Sequence, residues 1–204
     1  MEMRLITSVL VEFLNNNEFM VNSECLELNQ YNSNGETPLL TAVRLNNLLI
    51  VVEIIKHDLN TLDPNASRTF DGATPLIVAA QEGFLDIVQE LLEIPQLNVN
   101  AQDQQGQTAL YVSVKRGQRS IILEIIENGK HEVVDMYSFD NKNAEDIAIE
   151  KGYKDIAENI QTKTKASEKL IEETFLKETK LELLSKYNQL SLIQVCLNES
   201  SKQR

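Results

Sequence analysis

The sequence predicts an all-α solenoid of stacked helix–turn–helix units, with short hairpin turns and helical caps. Three observations predict it. The chain has seven glycines and four prolines in 204 residues. That glycine content is about half the usual frequency of roughly 7%, which argues against a turn-rich sandwich or barrel. The chain also repeats itself. Thr37-Pro38-Leu39, Thr74-Pro75-Leu76 and Thr108-Ala109-Leu110 recur at offsets of 37 and 34, and the register continues to Asn143-Ala144-Glu145 and Thr179-Lys180-Leu181 at 35 and 36. Finally, each unit carries the apolar stripe of a buried amphipathic helix. Ile50, Ile87, Ile121, Ile156 and Leu192 share a column, with further apolar columns one, four and five residues on.

The elements follow in chain order. Residues 5–14 read as a helix covering the open face of the first unit, and residues 15–31 as an irregular insertion. Each unit then opens on a tight turn, with Gly35, Gly72, Gly106 and Asn141 in one column. The Thr column follows two residues later. Thr is a good N-cap, and Pro suits the first helical position. Small or apolar residues come next (Ala42-Val43, Ala79-Ala80, Ser113-Val114, Ala148-Ile149) and let neighbouring helices approach closely. This first helix ends at Asn46, Gly83, Gly117, Gly152 and Asn188, the residue types suited to a left-handed helix end. The second helix opens near Asp86, Ser120, Asp155 and Ser191. Residues 163–177, rich in Lys and Glu, read as a further charged helix leading to the fifth unit. Such units cannot bury their apolar faces alone, so they must stack.

The segment Asp71-Gly72-Ala73-Thr74-Pro75-Leu76 is followed by Ala79-Ala80 and Gly83, and Asn98-Val99-Asn100-Ala101 leads into the next turn. Together these resemble the ankyrin repeat. The resemblance covers about residues 32–197 in five units, the last two degenerate. Glu145 stands where the other units have Leu, and Leu184 where Ala is expected. The family's usual His, three residues after the Thr, is replaced by Leu40, Ile77, Tyr111, Asp146 and Glu182, so the hydrogen-bond network of that His is missing. The expected organisation is an N-terminal capping helix and insertion (1–31), repeats one to four (32–160), and a C-terminal degenerate repeat and cap (161–204).

The resemblance implies a non-catalytic module that binds a partner protein through a concave face of turn tips and first helices. On that face the first unit places Asn34, Glu36 and Arg44, and the second places Phe70, Asp71, Gln81 and Glu82. The third places Gln104, Gln105, Gln107, Lys115 and Arg116, and the fourth Phe139, Asp140, Lys142, Glu150 and Lys151. Phe70 and Phe139 share a turn column, each followed by Asp. A large aromatic at an exposed tip is a candidate anchor, unless its ring folds back onto its own turn. Lys115-Arg116 is a basic pair able to receive a partner carboxylate.

Composition narrows the partner. Asp and Glu number 31 against 19 Lys and Arg, a formal charge of -12, and the whole excess lies in residues 1–140. This disfavours nucleic acid and anionic membranes as partners. Two cysteines, Cys25 and Cys196, make no disulfide framework and suit a reducing, cytoplasmic compartment. No apolar run approaches the ~20 residues of a membrane span, and Leu5–Val11 is short for a signal peptide. Asn65-Ala66-Ser67 matches a glycosylation acceptor, which without secretion is a chance match.

No cofactor or metal is expected. His131-Glu132 begins like a zinc-protease motif but has Asp135 in place of the second His, and no phosphate-binding or nucleophile-elbow motif occurs. Asn and Gln total 32, the mark of an AT-rich genome, and a stand-alone chain of this kind fits a bacterial effector acting on a host protein in the host cytosol. Two readings stand beside that one. Cys25 could serve a cysteine-dependent enzyme or modifier. Leu170, Ile171 and Phe175 could form a homodimer surface, although a monomer is expected.

Overall fold

The computed structural model describes residue 16, residues 28–57, 59, 61–129 and 135–170, and residues 172 and 173. Two compact units divide the chain after Thr164. The first holds helices α1 (Pro38–Arg44), α2 (Leu48–His57), α3 (Pro75–Glu82), α4 (Leu85–Leu92), α5 (Ala109–Arg116), α6 (Arg119–Asn128) and α7 (Ala144–Glu150), followed by helical residues 154–164. In the second unit residues 165–170, 172 and 173 are helical. Among the described residues there is no strand.

Each first helix starts where the sequence places it. Thr37, Thr74 and Thr108 are extended, and their hydroxyls accept the N–H of Leu40, Ile77 and Tyr111 at 3.4, 3.4 and 3.2 Å. The column that lacks the family's His is filled in two ways. Leu40, Ile77 and Tyr111 are buried, so apolar contact stands where the imidazole would be. In the fourth unit Asp146 closes a capping box: Asn143 Oδ1 accepts its N–H at 2.8 Å, and Asp146 Oδ2 accepts the N–H of Asn143 at 3.1 Å. The turn and helix-end columns are left-handed as expected, including their asparagines, Asn46 (φ 52°) and Asn141 (φ 59°).

Helices α1, α3, α5 and α7 pack side by side in one layer and α2, α4 and α6 in a second, with each pair also packed across the layers. The stripe columns fill the space between them: Ile50, Ile87, Ile121 and Ile156 are buried, as are Ile54, Leu91, Ile125 and Ile160. The result is one continuous apolar core through four units.

Two features exceed what the repeat register implies. The second hairpin is one residue wider than the rest. Gly72 N–H bonds the carbonyl of Arg68, four residues back, whereas Gly35, Gly106 and Asn141 bond Asn32, Asp103 and Ser138, three back. This accounts for part of the longer first offset. On the other edge, asparagine amides clamp one interhelical loop to the next. Asn29 donates to the carbonyl of Thr61 at 2.6 Å and accepts the N–H of Asp63 at 2.9 Å. Asn65 donates to Gln96 at 2.9 Å and accepts from Asn98 at 2.7 Å. A primary amide is a donor and an acceptor at once, which is the chemistry such a clamp needs. These asparagines therefore have a structural use beyond compositional drift, and the amide of the glycosylation-like Asn65 is already engaged.

The expected N-terminal helix (5–14), most of the insertion, and the fifth-unit positions Thr179, Glu182, Leu184, Asn188 and Leu192 lie outside the described residues. So do Cys25, His131, Glu132, Ile171, Phe175 and Cys196.

Candidate partner-binding face

Hairpins and first-helix ends share one face, as two ion pairs demonstrate. Glu36, next to the first turn, bonds Arg44 at the end of α1, with Nε 2.8 and 2.9 Å from the two carboxylate oxygens. Lys142 bonds Glu150 near the end of α7 at 2.6 Å. The hairpins themselves are joined edge to edge through the main chain. Thr69 N–H bonds the carbonyl of Gly35 at 3.1 Å, Gln104 N–H that of Asp71 at 2.9 Å, and Phe139 N–H that of Gln105 at 2.9 Å. Within the first three hairpins a short polar side chain folds the turn. Asn32 Oδ1 accepts from Asn34 and Glu36, Asp71 Oδ1 from Ala73, and Asp103 Oδ1 from Gln105 and Gln107.

In the first unit Asn34 and Arg44 are exposed. Glu36 is not: it is only 2% exposed, and its carboxylate is shared between Arg44 and the Thr41 hydroxyl at 3.2 Å. Glu36 thus supports the face from beneath, a correction to its expected place on the surface. In the second unit Phe70 is 63% exposed, with the Arg68 guanidinium 4.8 Å from its ring centroid. Arg68 is in turn held by Asp71 at 2.6 Å. Gln81 is half-buried, with its carbonyl accepting the Gln118 amide at 3.3 Å, and Glu82 is exposed.

In the third unit Gln104, Gln105, Lys115 and Arg116 are exposed and Gln107 is half-buried. In the fourth, Phe139 is 79% exposed and leans over the third hairpin, not its own turn: a Cβ built on Gly106 would stand 2.9 Å from its ring. Asp140, Glu150 and Lys151 are exposed and Lys142 is half-buried.

Some residues of the face were not singled out by the repeat pattern. Tyr111 is buried in α5, and its hydroxyl donates to Asp140 at 3.4 Å across the junction, while the Lys115 ammonium lies 5.6 Å from its ring centroid. Burial pushes the Tyr111 phenol above its ordinary pKa. The Ser138 hydroxyl, aided by Tyr111 and the Lys115 charge, holds the Asp140 carboxyl below its ordinary value. The hydrogen bond and charge of Glu150 raise Lys142. Tyr31 and Tyr137, both exposed, share the column four residues before the turn residue; that shared aromatic column is the signal that would have found them.

Asp135 stands where a zinc protease would have its second His, and the structure gives it different work. Its carboxylate accepts the N–H of Ala144 at 2.8 Å and of Glu145 at 2.9 Å, at the start of α7. Burial pushes its carboxyl up to about 6 against the opposing pull of those two amides, and the charges of Glu145 and Asp146 add to the rise. A carboxyl raised in the folded state makes folding take up a proton between its unfolded value of 3.8 and about 6. Its contribution to stability is therefore complete below pH 3.8 and lost as pH rises through about 6. Urea unfolding across this range is expected to show wild type losing about 2–3 kcal/mol relative to Asp135→Asn as pH rises. Parallel pH profiles for the two proteins would disprove the assignment.

Among the described residues no helix is long and apolar enough to cross a membrane, and no group of three or more His, Cys, Asp or Glu is placed to hold a metal ion.

These features define a class: a stack of capped helix pairs with hairpin tips along one edge. A family model for ankyrin repeats in three copies matches residues 7–103. Residues 7–103 thus carry ankyrin repeats. It is similar to alpha-latrotoxin-Lh1a of Latrodectus hasselti, 38% identical over 111 residues, which cover 54% of this chain and 8% of that protein. It is also similar to the potassium channel SKOR of Arabidopsis thaliana (34% identical; 45% of this chain, 11% of that protein) and to Rabankyrin-5 of Mus musculus (45% identical; 28% and 5%). The matched stretches are thus a small part of much longer relatives. Ankyrin repeats are generally protein–protein interaction modules.

Proposed function

We propose that this chain is a non-catalytic binding module that holds a partner protein against the face of hairpin tips and first helices. One observation carries the reading. Large apolar side chains that the stack does not use are exposed on this face: Phe70 and Phe139 at the hairpin tips, Tyr31 (49% exposed) and Tyr137 beside them, and Leu45 just past the end of α1. Aromatic anchors set among polar neighbours are the usual composition of a protein-binding patch. The polar positions Asn34, Gln104, Gln105 and Glu82 form its rim.

The test is capture on immobilised protein, wild type beside the Phe70→Ala/Phe139→Ala double variant. Partners retained by wild type are expected to be lost, with Tm within about 2 °C of wild type because both rings are largely outside the core. The same proteins captured by both would refute the assignment of the face.

A further inference from the structure

We propose that the part of this face over α5 and α7 takes an acidic peptide segment with an aromatic or aliphatic anchor. Its carboxylates pair with Lys115, Arg116 and Lys151, and its anchor lies on Phe139. The inference rests on the partner-binding reading above and gives that partner its chemistry.

The argument is one of charge. The chain carries a formal charge of -12, and five of its described cations, three of them on this face, are held in ion pairs. Arg44 pairs with Glu36, Arg68 with Asp71, Arg119 with Asp155 and Lys142 with Glu150. Lys115, Arg116 and Lys151 are exposed and make no ion pair among the described residues. They stand at equivalent ends of α5 and α7, helices that pack against each other. Of the carboxylates nearby, Glu150 is paired with Lys142, while Asp140 is hydrogen-bonded by Ser138 and Tyr111 and keeps its charge, leaving the four cations Lys115, Arg116, Lys142 and Lys151 in excess over these two. The opposite end of the face differs, since its arginines are neutralised and Glu82 is left over. The third and fourth units therefore present positive charge at their first-helix ends on an otherwise acidic protein, on the same face as Phe139, the most exposed large apolar side chain described. Complementary charge of this kind speeds encounter and rejects basic partners, and it weakens as salt screens it.

The experiment is selection of displayed random peptides, each about twelve residues long, on the full chain. Selected peptides are then titrated by fluorescence anisotropy. The expected result is enrichment of acidic peptides with an aromatic or leucine, weakened by added salt. Lys115→Glu/Arg116→Glu/Lys151→Glu is expected to weaken them roughly tenfold or more, as is the milder set of three Gln substitutions to a smaller degree, while Lys56→Glu at the end of α2 leaves them unchanged. Neutral or basic selected peptides that depend on Phe70 and Phe139 but tolerate charge reversal would overturn this inference alone. Peptides indifferent to both sets of substitutions, or no enrichment at all, would overturn it together with the proposed function.

Discussion

Gly106→Ala is expected to destabilise the protein by about 2–4 kcal/mol, and Gly152→Ala by only about 1. Both glycines are left-handed, with φ of +75° and +77°, so both variants carry the same backbone penalty. What differs is the space. A Cβ at Gly106 would stand 2.9 Å from the backbone nitrogen of Phe139 and 3.1 Å from Ser138 Cα, while at Gly152 nothing lies within 4 Å. Backbone cannot swing aside as a side-chain tip does. The third and fourth hairpins would have to part, lengthening the bond from Phe139 N–H to the carbonyl of Gln105, now 2.9 Å. Urea unfolding of the two variants measures the difference. Equal losses would mean that the hairpins are not packed as closely as described.

Leu76→Ala is expected to cost about 2–5 kcal/mol, the range for deleting a buried leucine side chain. Leu76 is fully buried, and its helix α3 packs against both α1 and α5. The cavity therefore opens where two junctions meet, and neither neighbour can close it without leaving the other. The same urea titrations give the value. A loss below about 1 kcal/mol would remove the Leu column from the core.

The repeat positions of the fold could be read from residue types alone because each follows from local chemistry. A Thr caps, a Pro starts a helix, a Gly or Asn turns left-handed, and a column of Ile and Leu must be covered. Thr74, Asn46 and Ile87 stand where those rules put them. The face was legible by position but not by state. The register puts Glu36 beside a turn, yet only the approach of Arg44 and Thr41 from α1 shows that its carboxylate is drawn inward. Tyr111 was visible as a departure from the family's His; that its ring lies buried with Asp140 at its hydroxyl depends on a residue one repeat away. Asp135 looked like a broken zinc motif because spacing along the chain says nothing about a helix start nine residues on. Pairings across a junction are tertiary, and sequence spacing alone does not encode them.

The edge-to-edge bonds between hairpins have a consequence for how such a chain can diverge. They run from the amides of Thr69, Gln104 and Phe139 to the carbonyls of Gly35, Asp71 and Gln105, and no side-chain atom takes part. Away from the left-handed turn glycines, the bonded positions Thr69, Gln104, Gln105 and Phe139 can therefore change their side chains, short of proline, without losing these bonds. Binding preference can then drift over generations along the same rail, one hairpin at a time, while the scaffold underneath stays the same.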